Sequence, residues 1–324
     1  MSELRYHPFL RQWVITATHR QYRTFLPPAD FCPLCPTKPD SFPTEIPFES
    51  YDIVVFENKF PSLAMPSPVP EIHGSPVSGV RPAEGICEVV CYSDQHDATL
   101  ATLPLSQVQK LMRVWKDRYI ELGSRDEIVY ILIFENKGKE LGVTLDHPHG
   151  QIYAFPFIPP TAETEIRAER DYYLEHKRYL MAAVLEEEVV KGNQAVFENE
   201  SAVAFIPSFA RYPYETYVTT KSHRASLAEM SESDLDDFAE AIHVTARKLD
   251  GLFGFSMPYL FAIHQKPTIA SPEGAWIHAE FYPPYRTATK LKYLAGVESS
   301  AGTFINDTLA EETAARLRAV TLPE

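Results

Sequence analysis

Two histidines stand one residue apart in His147-Pro148-His149-Gly150-Gln151. Imidazole is largely neutral near pH 7 and nucleophilic, so a histidine here can attack a phosphorus centre and carry the transferred group as a phosphoramidate. His149 is the candidate nucleophile. Its second ring nitrogen needs a fixed acceptor, expected to be a backbone carbonyl. Residues i and i+2 of a strand share a face, which sets Gln151 beside His149, able to donate to a phosphoryl oxygen as charge builds. Pro148 withholds a backbone donor and predicts an edge or a strand start. Gly150 lets a ligand approach the backbone. Upstream, Phe134 to Gly138 and Gly142-Val143-Thr144 form a polar, glycine-containing loop that offers amide and hydroxyl donors to phosphate oxygens.

Cys32-Pro33-Leu34-Cys35 has the spacing with which two thiolates reach one tetrahedral zinc. Redox pairs share that spacing but usually open a helix, and the prolines here read as a rigid loop. In one reading His96 and His147 complete a Cys2His2 site. Such a site is closed, so its zinc is structural. The alternative is a reduced, metal-free surface pair. Cys87 and Cys91 lie at even spacing on a strand and read as buried apolar side chains.

The elements that must position these groups occur twice. The first copy runs from Ser93 to Leu100 through a helix and Val129–Phe134 to His147-Pro148-His149. The second runs from Lys221-Ser222-His223 through a helix and Tyr259–Ile263 to His278-Ala279-Glu280. Val108, Leu111, Met112, Trp115, Tyr119 and Leu122 keep helical spacing, with Ser106 as the expected cap. Leu235, Phe238, Ala239, Ile242, Ala246 and Leu249 do the same from near Ser233. Strands are predicted at 51–57, 86–92, 195–206 and 216–219. One long helix over about 163–191 is predicted to link the halves, and a last helix covers 309–320. The fold expected is α+β, with units 1–192 and 193–324 contributing to one sheet.

The formal net charge of −14 argues against a general affinity for nucleic acid or anionic membrane, though not against a nucleotide. No apolar run reaches the roughly 20 residues of a membrane span. Residues 1–22 lack an export-signal core, and a cytoplasmic protein is expected.

The chain resembles the galactose-1-phosphate uridylyltransferase family, a transferase branch of the histidine-triad superfamily. The resemblance runs through Trp13-Val14-Ile15, His19 to Arg23, Cys32 to Pro36, Pro43 to Pro47, Glu57 to Pro61, Phe134 to Gly138, His147 to Gln151 and His278 to Pro284. It implies duplicated histidine-triad-like units forming one antiparallel half-barrel with helices outside. It implies UMP exchange between UDP-glucose and galactose 1-phosphate by a ping-pong route through a uridylyl-histidine at His149. Cys32, Cys35, His96 and His147 would bind structural zinc. Arg20, Arg23, Asn58, Phe134, Asn136, Gly142, Thr144 and Gln151 would contact the nucleotide or its phosphates. A second zinc or iron would sit at Glu165, His264 and His278. A homodimer with active sites drawn from both subunits is implied. Histidine-triad hydrolases carry a third histidine where this chain has Gln151. Glutamine cannot titrate, so the intermediate should wait for a phosphorylated acceptor.

The chain departs from the family at two places. Glu280 stands where many members have His, which makes the second metal set Glu165, His264, His278 and Glu280. On the sugar side, Lys292 and Glu298 match the family's hexose loop, but Val297 replaces a frequent Tyr. The alternatives are a nucleotide-sugar phosphorylase or adenylyltransferase using phosphate or another hexose phosphate, and a non-catalytic zinc-stabilised nucleotide-binding protein.

Overall fold

The computed structural model describes residues 2–22, 31–269 and 273–322. The strands are β1 (Ser2–His7), β2 (Gln12–Ala17), β3 (Val54–Glu57), β4 (Val80–Pro82), β5 (Ile86–Cys91), β6 (Tyr130–Lys137), β7 (His149–Phe155), β8 (Ala195–Glu198), β9 (Ala202–Phe205), β10 (Thr216–Thr220), β11 (Tyr259–His264), β12 (His278–Tyr282), β13 (Tyr285–Thr287) and β14 (Lys290–Leu291). The helices are α1 (Leu105–Gly123), α2 (Pro160–His176), α3 (Leu180–Val184), α4 (Glu232–Phe253) and α5 (Ala310–Arg318).

Nine strands form one antiparallel sheet in the order β3-β5-β7-β6-β11-β12-β10-β9-β8. Read outward from the β6–β11 seam, each half places its post-helix strands first and its pre-helix strands last. The duplication in the sequence is therefore a duplication of strand order. A three-stranded sheet, β2-β1-β4, and the β13–β14 pair stand apart.

Alternation along the strands divides the sheet into two faces. Ile131 and Ile133 of β6, Ile152 and Ala154 of β7 and Phe261 and Ile263 of β11 join α1, α4 and α5 in the main core. The apolar stripes of α1 and α4 are buried throughout. Each Leu, Phe or Ile so placed contributes about 1.5–3 kcal/mol from burial. Trp115 of α1 is 1% exposed and stacks on Phe261 at 5.9 Å. Cys87 and Cys91 are both buried, on the opposite face.

Four local expectations are corrected. The segment 195–206 is a hairpin rather than one strand. Asn199 turns it, its side chain accepting from Ala202 N at 2.9 Å. Helix α1 has Pro104 at its N-cap position, without a side-chain cap, which places Ser106 inside the first turn. Helix α4 starts from Ser231, whose hydroxyl accepts from Asp234 N at 3.1 Å in a capping box. The long helix over 163–191 breaks after His176, where Lys177 takes φ 51°. The break turns Tyr179 onto the His223 ring, stacked at 4.0 Å. Helix α2 also does not lie with α1, α4 and α5. Ala162 and Ile166 pack with Leu4, Tyr130 and Phe155 on the opposite face, which brings the carboxylates of α2 to the ends of β11 and β12.

Candidate active site

Strand β7 starts at His149, between β5 and β6 in the middle of its half-sheet. Pro148 sits one residue before, where its missing N–H costs no ladder bond, while its carbonyl accepts from Tyr92 N at 3.0 Å. His149, Gln151 and Tyr153 project from the face away from α1 and α4, since Ile152 and Ala154 face the core. Nδ1 of His149 lies 2.7 Å from the His147 carbonyl oxygen. That carbonyl can only accept, so Nδ1 carries the proton and Nε2 keeps its lone pair.

Six residues singled out in the sequence line one cavity of about 330 Å³: Arg20, Asn136, Gly142, Thr144, His149 and Gln151. Gly142 has φ 77°, a backbone that favours glycine. Asn58 is buried and donates to Gln151 Oε1 at 3.4 Å. It is itself held by Phe60 N on its side-chain oxygen at 2.9 Å. This leaves the Gln151 amide N–H groups as donors. Arg20 reaches the hydroxyls of Ser62 and Tyr153, and the Phe134 ring stands edge-on to Tyr153 at 5.2 Å. Arg23 lies outside the described residues.

Cys32, Cys35, His96 and His147 converge, each offering one ligand atom with all four atoms within 4.8 Å of one another. Cys35 Sγ is 3.4 Å from His96 Nδ1 and 3.5 Å from His147 Nδ1. Donors around a tetrahedral zinc lie roughly 3.5 Å apart, given Zn–S near 2.3 Å and Zn–N near 2.0 Å. The donor set fits such an ion. Burial, then the adjacent Cys32, pushes the Cys35 thiol up to about 12. A divalent cation reverses that by holding the thiolates. Burial lowers His147 to about 4, keeping it in the neutral form that ligates. Its Nε2 lies 2.9 Å from Ser93 O and 2.5 Å from the Tyr51 hydroxyl, which also donates to Leu34 O at 3.0 Å. These bonds orient the ring so that Nδ1 faces the cysteines. Tyr51 was not foreseen; no local pattern links it to a histidine 96 residues later.

Glu165, His264 and His278 form a second convergent group. His264 Nδ1 lies 2.7 Å from Glu165 Oε2. Glu280 stands beside this group rather than within it. One carboxylate oxygen is 3.3 Å from His278 Nε2, and the other is 2.8 Å from Arg211 Nη2. Arg211 also bonds Glu215, and both carboxylates are fully buried. His278 Nδ1 lies 3.3 Å from the carbonyl of Trp276, two residues earlier, as His149 Nδ1 addresses that of His147. The sequence aligned His278 with His147; the ring contacts pair it with His149.

Lys292 and Glu298 do not line the His149 cavity. Lys292 Nζ is 3.2 Å from Glu298 Oε1 and donates to Ile305 O, so the pair ties the C-terminal loop.

Residues 1–159 match the family model for the galactose-1-phosphate uridyl transferase N-terminal domain, and residues 165–324 match that for its C-terminal domain. The chain belongs to the galactose-1-phosphate uridylyltransferase family, a family of nucleotidyl-transferring enzymes. The galactose-1-phosphate uridylyltransferase of Thermotoga maritima is 40% identical, with 98% of each chain covered. That of Haemophilus influenzae is 33% identical over 98% of this chain and 93% of its own. A solved uridylyltransferase superposes with TM-score 0.87 at 33% identity, covering 98% of both chains. The ADP-glucose phosphorylase of Arabidopsis thaliana, solved with bound ADP-glucose, shares the fold at 23% identity with TM-score 0.74, covering 99% of this chain and 100% of its own. Among the described residues no helix is long and apolar enough to cross a membrane.

Proposed function

We propose that this chain exchanges UMP between UDP-glucose and galactose 1-phosphate through a uridylyl-His149 intermediate. The observation that carries the reading is the 2.7 Å contact of His149 Nδ1 with the His147 carbonyl, which leaves Nε2 as the nucleophile. In the first half-reaction the Nε2 lone pair attacks the α-phosphorus. The bond from that phosphorus to the bridging oxygen breaks, and glucose 1-phosphate leaves with the electron pair. In the second, a phosphate oxygen of galactose 1-phosphate attacks the same phosphorus and Nε2 departs. No net proton is needed, because Nδ1 keeps its hydrogen throughout.

Gln151 is assigned to the non-bridging oxygens, with Arg20, Asn136, Gly142 and Thr144 around the diphosphate, Asn58 and Phe134 bordering them, and Arg23 as a further nucleotide contact. Zinc is assigned to Cys32, Cys35, His96 and His147, where it would supply structural cross-linking only. A second zinc or iron is assigned to Glu165, His264 and His278, with Glu280 as its neighbour. Lys292 and Glu298 are assigned to the hexose phosphate. They are absent from the cleft of their own chain, which favours their delivery in a homodimer. The units 1–192 and 193–324 and a cytoplasmic setting complete the reading.

The test uses UDP-glucose labelled at the α-phosphate. Acid-labile label is expected on the wild-type chain and none on His149→Gly. Equal label on both overturns the assignment.

A further inference from the structure

The segment that carries His149 is gripped from behind by one residue. Tyr92 follows β5 and is fully buried. Its backbone N–H donates to Pro148 O at 3.0 Å. Its hydroxyl lies directly under Gly150, where a Cβ would collide with it and come within 3.0 Å of the Phe134 carbonyl oxygen. These two grips straddle His149. Trp115 of α1 meets the Tyr92 ring edge-on at 5.9 Å and 79°.

Beyond the hydroxyl stands Glu135. It follows Phe134, which pairs with Gln151 across β6 and β7. Glu135 is buried, and its Oε1 accepts from the Tyr259 hydroxyl at 3.3 Å. Among the described residues, Glu135 Oε2 and the Tyr92 hydroxyl are both buried polar atoms with no hydrogen-bond partner. Burial lifts the Glu135 carboxyl to about 7, and burial beside Glu135 raises Tyr92 well above the tyrosine range. The hydroxyl therefore keeps its proton, with the Glu135 carboxyl as a near neighbour. Lys137 and Asp250 supply the remaining nearby charge, paired with each other at 3.1 Å. Glu135 and His149 border one cavity of about 530 Å³. The Glu135 side chain leaves its strand on the face opposite Phe134, so it does not enter the nucleotide cleft.

Phenylalanine and leucine would fill this space without burying polar atoms. A tyrosine and a glutamate kept there need a reason beyond packing. We propose that Tyr92, with Glu135 buried behind it, is a positioning residue for nucleotidyl transfer: it holds the backbone on both sides of His149, so that the His147 carbonyl stays on Nδ1 and Nε2 stays aimed at the cleft. The kinetic consequence rests on His149 being the nucleophile; the structural consequence does not.

Tyr92→Phe removes the hydroxyl alone, and Glu135→Gln keeps the shape while removing the charge. The full chain with ¹⁵N-labelled histidine reports the His149 tautomer by NMR, with His149→Gly assigning the signals. Wild type is expected to show one Nδ1–H tautomer, and both variants a mixture. The turnover number for UMP exchange is expected to fall about 10- to 100-fold, the cost of misplacing a reacting group by about 1 Å. KM for UDP-glucose is expected to hold in both variants, and neither is expected to melt lower than wild type. An unchanged tautomer with unchanged turnover overturns the proposal. So does a loss of turnover that follows melting temperature while the tautomer stays intact. If wild type takes no label from UDP-glucose, the functional reading falls, and the tautomer measurement still decides the role of Tyr92.

Discussion

The carbonyl oxygen of His147 accepts from Nδ1 of His149 at 2.7 Å, while the ring of His147 faces Cys35 at 3.5 Å. One residue thus joins the convergent cysteine–histidine group to the nucleophile, ring to one and backbone to the other. Metal loss should therefore act on catalysis through orientation. Cys35→Ser is expected to release the zinc assigned to this group and to leave the Glu165 site as it is. It should lower turnover for UMP exchange by about 10- to 100-fold, the scale of second-shell losses. Elemental analysis beside steady-state kinetics checks this. Full turnover in a chain without this zinc would break the link.

Gln151 carries no titratable proton. A histidine at that position could protonate a leaving group and activate water, contributions of about 10²–10⁴-fold in favourable cases. Gln151→His is expected to shorten the life of the uridylyl-enzyme and release UMP without acceptor. Following UMP from labelled UDP-glucose, with galactose 1-phosphate omitted, measures it. Asn58 should partly restrain the change, because it holds the Gln151 oxygen at 3.4 Å and cannot serve a histidine in the same way.

Arg211 is the shared cation of two fully buried carboxylates, Glu215 at 3.1 Å and Glu280 at 2.8 Å. Removing one partner of a buried ion pair strands the others and costs about 3–5 kcal/mol. Arg113 also bonds two carboxylates, Glu232 and Asp236, each at 2.8 Å, but at the surface, with Glu232 exposed and the other two half-buried. Such surface pairs contribute about 0–1 kcal/mol. Urea denaturation should show Arg211→Ala far more destabilised than Arg113→Ala. Similar losses for the two would show that Glu280 does not depend on its cation.

Much of this was legible because it is periodic or closely spaced. The Cys32–Cys35 spacing, the His147–Gln151 run and the buried faces of α1 and α4 are local patterns, and the strand order follows from the repeat. What escaped depends on long-range placement. Arg211 precedes Glu280 by 69 residues, and nothing local ties them. The break at Lys177 goes with Tyr179 stacking on His223, a tertiary contact that no local pattern announces. Aligning His278 with His147 matched letters, whereas strand position and ring contact match it with His149. Lys292 and Glu298 were legible only as matches to the hexose loop, not as partners of each other.

Glu135 offers a test of how its buried carboxyl is held. Desolvation is the main cause of its rise from 4.5 to about 7, partly offset by Lys137 and the hydroxyls of Tyr92 and Tyr259. For an acid raised on folding, the native state binds the proton more tightly than the unfolded chain does. Stability is then greatest below pH 4.5 for this group and declines as pH rises through about 7. The whole window is worth up to about 3 kcal/mol at 1.36 kcal/mol per pKa unit. Glu135→Gln cannot ionise and should lose that decline. Subtracting its stability from wild type, measured by urea denaturation between pH 5 and 8, should give a difference that grows in favour of the variant with rising pH. A difference that stays flat would mean that Lys137 and the two tyrosines hold Glu135 ionised throughout.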